Sequence, residues 1–365
     1  MKYFNDSLMF DEAISFTSLH DSYLSCLKGV KWKDSVAKFA MNAVVEISDL
    51  RSEIIDMEYR MKEPILFIVH EPKERIIQSL IFRDKVFQKS LCDNILVPIF
   101  NKVFIYDNGA SVKNKGYSFS INRLHAHLRK YYNDNERNNE GWILKCDIHH
   151  YFDSINHDIL MDMVEEYLSD ERLLFYLRDS IAMYGENNTG LGLGSQINQT
   201  FALLYLNKLD HFIKEKLHIK YYGRYMDDFY LLHSDKEYLK YCRDVIEEEL
   251  TFVKLKLSEK KTQLFPIKHG LKFLGFTHNL TDTGKIYMKI DRTNVSRERR
   301  RLRKMRDLRL EGKISIEDIC ASYTSWKAHV KRGNSYYLLQ KMDRYFLELF
   351  YPFILDEYTN RPFVY

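Results

Sequence analysis

The feature that most constrains the fold is a pair of adjacent carboxylates, Asp227 and Asp228, between two short apolar segments in YYGRYMDDFYLLH (221–233). The pattern predicts a strand, a tight turn and a second strand. Two like charges a few ångströms apart raise each other's pKa, and acids that emerge from a buried hairpin need a partner. A divalent cation supplies that partner. The alternative is a hairpin turn in which both acids are solvated.

A second acid follows another apolar strand. Asp147 comes at the end of WILKCDI, eighty residues before Asp227. Polar side chains at the ends of strands gather at the sites of α/β proteins. From a neighbouring strand Asp147 could meet the hairpin turn, and three acids could hold two Mg²⁺ ions roughly 3.5 to 4 Å apart for phosphoryl transfer. The alternative for Asp147 is a helix N-cap for the segment that follows it.

Composition narrows the class of protein. The chain has 365 residues, 45% of them hydrophobic, with only 14 Gly and 6 Pro, which is typical of a folded protein of two or three domains. A net charge of +4 does not by itself indicate a nucleic-acid partner. The five cysteines form no CxxC pair and are predicted to be reduced thiols. No apolar run approaches the ~18 to 20 residues that cross a bilayer, so we expect a soluble, cytoplasmic protein with no membrane partner.

The pattern along the chain predicts an α+β organisation. Residues 1–64 are predicted to be helical, and after Pro64 the segment ILFIVH is a strand candidate. A helix is expected from near Arg83, a loop over 106–117 and a polar hinge over 133–140. Strands then alternate with two long helices, the first opened by the loop GLGLGSQINQ (190–199). The helical spacing in the first region is carried by Val44, Ile47, Leu50, Ile54 and Met57.

Five segments occur in an order and spacing that resemble the palm motifs of reverse transcriptases, specifically the bacterial group II intron-like lineage. They are LKCDIHHYFDSI, GLGLGSQINQTFALLYLNKLD, YGRYMDDFYL, LSEKKT and KFLGF. HEPKERIIQSLIFRDKVFQ, LVPIF and IYDNGASVKNKGYS resemble the finger motifs of the same lineage. The resemblance covers about residues 60–280 and implies a right-hand polymerase: fingers over 1–130, a palm of antiparallel sheet plus helices over 131–280, and a helical thumb over 281–365.

The resemblance also implies site residues. Asp147, Asp227 and Asp228 match the metal-binding triad, with Asp147 and Asp227 favoured as direct ligands of two Mg²⁺ ions; Mn²⁺ is the alternative ion. Phe152 matches the aromatic gate under the deoxyribose that would clash with a 2′-hydroxyl. The alternative for Phe152 is an ordinary core aromatic, and both roles are compatible.

Three basic residues complete the implied site. Lys73 and Arg75 fall where the fingers grip the incoming triphosphate, and Arg suits a bidentate contact to phosphate. The alternative is a solvated turn. Lys261 corresponds to a lysine that protonates the pyrophosphate leaving group, a general-acid role. Lys260 beside it leaves the choice between the two lysines open.

Asn198 and Gln199 depart from the intron pattern, which carries Ser-Pro at these positions. Gln199, expected to contact the dNTP, is closer to the enzymes of diversity-generating retroelements and other stand-alone bacterial reverse transcriptases. The FLGF turn (273–276) resembles the primer grip. His149 and His150 are expected to face opposite ways and not to bind metal. The basic run 292–309 suits the minor groove of a template–primer duplex, with a solvated helix as the alternative.

The leading hypothesis is an RNA-directed DNA polymerase that extends a primer with dNTPs. An RNA-dependent RNA polymerase is the second hypothesis, disfavoured by Phe152 and by Met226, where such enzymes commonly carry Gly. A catalytically idle RNA-binding scaffold is the third. The expected partners are an RNA template, the nascent DNA and a dedicated noncoding RNA; an accessory protein or an oligomer is left open. Phage defence and diversity generation are the favoured roles, with a retron as the remaining option.

Overall fold

The computed structural model describes residues 5–70 and 74–359, with the side chains of 355–359 left out. The chain divides into two compact units. Unit 1 contains residues 1–124 and 144–264, and unit 2 contains 125–143 and 265–365. Within the described residues no helix is long and apolar enough to cross a membrane. The boundaries of fingers, palm and thumb remain a prediction.

The first region is helical, as the apolar spacing predicts. It contains α1 (Asp6–Ala13), α2 (Phe16–Cys26), α3 (Asp34–Met41) and α4 (Ala43–Ile55). Ile47, Leu50 and Ile54 are fully buried on one face of α4. Val44 also lies in α4, where it is 64% exposed. The helical prediction is wrong at Met57, which lies beyond the end of α4 with a φ of 59°. Periodicity gives the direction of a helical face but not how far other elements cover it.

The strand predicted after Pro64 is present but exposed. β1 (Ile65–Val69) pairs antiparallel with β2 (Arg75–Ser79), and Phe67 lies opposite Ile77. All five residues of β1 are exposed. An apolar run of this kind is usually a buried strand, so its solvent exposure in a two-stranded hairpin could not be predicted from hydrophobicity.

A helical block follows the hairpin. α5 (Phe82–Leu91) starts within one residue of the predicted position and continues through a π-helical turn, Cys92–Leu96, into α6 (Val97–Phe100). Residues 106–116 form the predicted loop, and α7 (Tyr117–Asp134) begins where that loop ends. The core of this block is formed by Val86, Phe87, Leu91, Ile95 and Phe100, which are all buried.

The central sheet is built from β3 (Trp142–Asp147), β4 (Tyr221–Tyr225), β5 (Asp228–His233) and β6 (Gln263–Pro266), in the order β4-β5-β3-β6. β4 and β5 form the predicted antiparallel hairpin, in which Tyr225 pairs with Asp228. The connecting helices are α8 (Tyr151–Ser154), α9 (His157–Glu165), α10 (Glu171–Ala182), α11 (Gln196–Tyr205), α12 (Asn207–His211) and α13 (Lys236–Phe252). A π-helical turn, Phe212–Lys216, follows α12.

The glycine-rich loop ends earlier than its composition predicts. α11 begins at Gln196 because the Ser195 side chain caps it by accepting a hydrogen bond from the Asn198 amide (3.3 Å). Asn198 and Gln199 therefore lie on the helix and not in the loop. A serine three residues before Asn198 is the N-cap signal that could have predicted this boundary.

Unit 2 contains a three-stranded antiparallel sheet and the C-terminal helices. The strands are β7 (Leu271–Phe273), β8 (Phe276–Leu280) and β9 (Ile286–Ile290). The helices are α14 (Arg292–Leu310), α15 (Ile316–Val330) and α16 (Tyr336–Thr359). The predicted basic helix corresponds to α14, which buries Glu298 and Leu302. The FLGF segment forms the turn between β7 and β8, with positive φ at Leu274 (48°) and Gly275 (80°).

Candidate active site

The acidic turn between β4 and β5 has a two-residue loop. Because Tyr225 pairs with Asp228, the loop residues are Met226 and Asp227. Met226 has a φ of 57°, in the left-handed region that glycine normally occupies at the first loop position of such a hairpin. Asp228 is the first residue of β5. The hairpin thus presents one carboxylate from its loop and one from its strand.

Asp147 joins the acidic turn from the adjacent strand. It is the last residue of β3, and β3 lies next to β5 in the sheet. Its carbonyl accepts a hydrogen bond from the Ser258 amide (2.8 Å), which fixes the segment after α13 against the end of β3. Asp147 does not cap the following helix, since α8 begins only at Tyr151. The three acids named by the sequence are brought together in unit 1.

The electrostatics of the acids reflect this proximity. Burial and the nearby carboxylate of Asp147 raise the pKa of Asp227. Burial raises the pKa of Asp228 to about 6, and the neighbouring acids add to this effect while Lys145 opposes it. The Nζ atom of Lys145 lies 3.2 Å from Oδ2 of Asp228. The other oxygen, Oδ1 of Asp228, is buried and accepts no hydrogen bond.

Lys261 contacts the acids directly. Its Nζ donates a 2.6 Å hydrogen bond to Oδ1 of Asp147. The Lys261 side chain is 54% exposed, whereas that of Asp147 is 13% exposed. The turn that carries the lysine is held by backbone bonds from the Lys261 and Thr262 amides to the Ser258 carbonyl (3.1 and 2.8 Å). Of the two candidate lysines, the structure therefore places Lys261 at the acidic cluster.

Phe152 is half-buried on the short helix α8. Its carbonyl accepts a hydrogen bond from the Leu191 amide (2.8 Å), and its ring centroid lies 5.7 Å from that of Tyr151. The hydroxyl of Tyr151 donates to the Ala202 carbonyl on α11. These bonds fix α8 between the glycine-rich loop and α11, while part of the Phe152 side chain stays accessible.

Gln199 faces the loop over 106–116. Its Oε1 accepts a hydrogen bond from the Ser111 hydroxyl (3.0 Å). Ser111 has a φ of 46°, a strained conformation for a residue with a side chain. The amide group of Gln199 is thus held from outside its own helix.

Arg75 lies at the start of β2, opposite Val69. It lines an open cavity of about 680 Å³ together with Gln78, His150 and Asp153 and with the segment 189–193. The β2 strand is fixed there by the bond from the Gln78 amide to the Leu193 carbonyl (2.9 Å). The three acids do not line this cavity. Lys73 lies outside the described residues.

The two adjacent histidines do not face opposite ways, so that expectation is wrong. The rings of His149 and His150 lie 4.4 Å apart at an interplanar angle of 74°. A left-handed φ of 44° at His150 reverses the chain and brings its ring back to its neighbour. Nδ1 of His150 lies 3.4 Å from Oδ2 of the exposed Asp153.

The acids have the chemistry of a magnesium site without forming a complete one on their own. Carboxylate oxygens are the ligands that Mg²⁺ prefers, commonly one or two of them with substrate phosphates and water. The unpartnered, buried Oδ1 of Asp228 and the raised pKa of Asp227 both fit a bound cation. In the described part of the chain, no three His, Cys, Asp or Glu side chains form a ready metal-binding group. Lys145 and Lys261 instead neutralise the acids.

Sequence reasoning missed a buried ion pair behind the turn. Arg224 on β4 and Asp210 on α12 have fully buried side chains and make a bidentate contact, with Nε–Oδ1 and Nη2–Oδ2 distances of 2.7 and 2.5 Å. The signal was present in the sequence, because an arginine inside an apolar strand must find a partner.

The central part of the sequence matches a known family. Residues 70–278, more than half of the chain, match the reverse transcriptase (RNA-dependent DNA polymerase) family. The chain belongs to this family. Its α+β structure with antiparallel sheets is of the predicted fold class, that of the right-hand polymerases.

Individual relatives are distant. Protein YkfC of Escherichia coli (strain K12) is 24% identical, over 37% of this chain and 46% of that protein. A telomerase structure from Candida albicans, in a complex with a TWJ fragment of telomeric RNA, is 15% identical over 66% of this chain and 46% of that chain, with a TM-score of 0.48. A C-terminally truncated apo telomerase from Candida tropicalis is 13% identical over 68% of this chain and 60% of that chain, with a TM-score of 0.47. The chain spans less than two thirds of the length of each.

Proposed function

We propose that the protein is an RNA-directed DNA polymerase that extends a primer with dNTPs. The observation that carries this proposal is the convergence of Asp147, Asp227 and Asp228 in one family-matched unit, with Lys261 bonded to Asp147. Three acids and a lysine at the end of a sheet suit phosphoryl transfer, which depends on positioning and on stabilisation of charge.

The carboxylates would hold the divalent cations that the family implies. Asp147 and Asp227 are the proposed direct ligands, and Mg²⁺ is the proposed ion, with Mn²⁺ as the alternative. Two such ions, when bound, activate the attacking hydroxyl and neutralise charge on the phosphates.

The other residues of the site have roles that follow from their chemistry. A protonated lysine carries three N–H donors on one nitrogen, so Lys261 can keep its bond to Asp147 and direct another proton to the leaving pyrophosphate. Arg75 would bind phosphate oxygens through its planar guanidinium. Phe152 would exclude a 2′-hydroxyl through its bulk. Gln199, held by Ser111, would contact the base or the sugar.

The biological role is proposed from the motifs. The palm and finger motifs support membership of the group II intron-like lineage. Within this lineage the chain would be a stand-alone enzyme, because Gln199 stands where intron enzymes carry proline. It would copy a dedicated noncoding RNA in phage defence or in a diversity-generating element. The basic residues of α14 would then follow the phosphates of the template–primer duplex.

The test is template-dependent incorporation by the purified full chain. An RNA template with a DNA primer is offered dNTPs or rNTPs, with Mg²⁺ or Mn²⁺. The proposal predicts extension with dNTPs. Preferential extension with rNTPs would indicate an RNA polymerase, and lack of extension with either would favour an RNA-binding scaffold. Sequencing the RNA and cDNA that copurify with the protein would identify the template and separate the biological roles.

A further inference from the structure

The turn that carries Asp227 has a backbone conformation that its sequence does not favour. Met226 has a φ of 57° at a loop position where glycine is the usual residue. A residue with a side chain persists in this region only when its surroundings impose the conformation. Contacts from outside the turn must therefore hold the Met226 peptide in place.

The guanidinium of Arg224 is in contact with that peptide. Its Nη1 donates a 3.0 Å hydrogen bond to the Met226 carbonyl. Its Nη2 also donates to the Leu203 carbonyl on α11 (3.2 Å). The same side chain therefore connects the acidic turn to the helix behind it.

The guanidinium is itself fixed by Asp210. The bidentate contact leaves little rotational freedom, and the Tyr222 hydroxyl adds a 2.5 Å bond to Oδ1 of Asp210. The backbone of Arg224 is also held, since its amide donates to the Asp107 carbonyl (3.1 Å) and its carbonyl accepts from the Gly109 amide (3.0 Å). Both the backbone and the guanidinium of Arg224 are therefore held by contacts other than the one to the turn.

Stability alone explains this pair poorly. Removing two charges from water is costly, and a buried ion pair is often no better for stability than apolar residues of the same size. An apolar residue would also suit the interior of β4. What an apolar residue could not supply is the hydrogen bond to Met226.

We propose that Arg224, anchored by Asp210, is a positioning residue that imposes the left-handed turn at Met226 and so fixes the carboxylates of Asp227 and Asp228. The expected effect on the rate of dNTP incorporation rests on the proposed polymerase function. The expected ordering of the turn does not depend on that function.

The experiment compares three variants of the full chain. Arg224→Lys keeps the charge but loses the planar fork. The double variant Arg224→Met with Asp210→Leu removes both buried charges together, so that neither charge is left uncompensated and the cost is limited to the hydrogen-bond partners that are lost, among them the acceptor of the Tyr222 hydroxyl. Arg172→Lys is the matched control, because Arg172 makes a bidentate contact to Asp170 in the same unit but away from the turn.

The first readout is amide hydrogen exchange of the segment 225–229, measured without metal or substrate. In the folded double variant we expect exchange at least about 10-fold faster than in the wild type, the order expected for a lost hydrogen bond to a charged group. Arg224→Lys should also exchange faster than the wild type in this segment, whereas Arg172→Lys should exchange at the wild-type rate. If the folded double variant protects the turn as well as the wild type does, the proposal is overturned.

The second readout is dNTP incorporation. We expect kcat to fall by about 10- to 100-fold while KM for dNTP changes little, because misplaced carboxylates impair the reaction more than substrate binding. A wild-type chain that incorporates no dNTP would contradict the polymerase function, but the exchange experiment would still decide the role of Arg224. Equal kcat in the wild type and the double variant would overturn the positioning role.

Discussion

Lys261 donates a hydrogen bond from Nζ to Oδ1 of Asp147, over a distance of 2.6 Å and a sequence separation of 114 residues. The sequence alone could not choose between Lys260 and Lys261, since both fit the motif. Both lysines are exposed, and the structure shows Lys261 bonded to the acid.

This contact predicts different effects for the two lysines. Lys261→Met should lower kcat for dNTP incorporation by roughly 10²-fold or more, the range for loss of a general acid. Lys260→Met serves as the control and should stay within about 2-fold of the wild type by the same reasoning. Steady-state kinetics on a defined template–primer would measure both. Equal effects of the two substitutions would contradict the assignment.

Phe152 is predicted to control the choice of sugar. Phe152→Val should raise incorporation of rNTPs relative to dNTPs by roughly 10- to 100-fold, because a smaller side chain removes the barrier to a 2′-hydroxyl. The readout is the ratio of kcat/KM for dGTP and rGTP. Phe104→Val, at another half-buried phenylalanine of unit 1, should leave this ratio unchanged. An unchanged ratio in Phe152→Val would show that the ring packs without acting as a gate.

The stability of unit 2 should depend on pH through His278. Nε2 of this buried ring lies 3.1 Å from the Phe273 carbonyl oxygen, and its Nδ1 lies 2.9 Å from Nε2 of His125. When Nε2 of His278 donates to the carbonyl and Nδ1 accepts from His125, a second proton on Nδ1 would point at the N–H of His125. Burial lowers its pKa from 6.5 to about 4. Because the folded pKa is depressed, the stabilisation is complete above pH 6.5 and is lost as the pH falls towards 4.

The measurement is the free energy of unfolding of wild type and His278→Gln between pH 7 and pH 4. The wild type should lose on the order of 2 to 3 kcal/mol more than the variant over this range, at 1.36 kcal/mol per pKa unit. His269→Gln, which removes an exposed histidine, is the control and should follow the wild type. Parallel curves for wild type and His278→Gln would rule out this titration.

The parts of the fold that were predicted are those with local signals. The β4–β5 hairpin and the basic helix α14 follow from patterns within about 20 residues of sequence, where short-range periodicity is reliable. The acids of the site were found because two adjacent carboxylates beside apolar strands are unusual enough to require an explanation. Asp147 could be joined to them because it ends an apolar strand, and the family resemblance implies the same grouping.

The parts that were not predicted depend on contacts distant in sequence. The exposure of β1 depends on whether another layer covers it, which its own apolar residues do not determine. The start of α11 was placed too late because glycine content outweighed the Ser195 cap. The ring contact between His149 and His150 arises from a backbone reversal at His150 that no pattern indicates.

The most direct test of the proposed active site is the rate of dNTP incorporation by Asp227→Asn on an RNA template with a DNA primer. Asp162→Asn, an exposed acid on α9, controls for loss of charge elsewhere, and circular dichroism confirms that both variants fold. Because Asp227 is a proposed direct metal ligand in the acidic cluster, incorporation should fall by roughly 10³-fold in Asp227→Asn and stay near the wild-type rate in Asp162→Asn. Incorporation by Asp227→Asn near the wild-type rate would contradict the proposed active site.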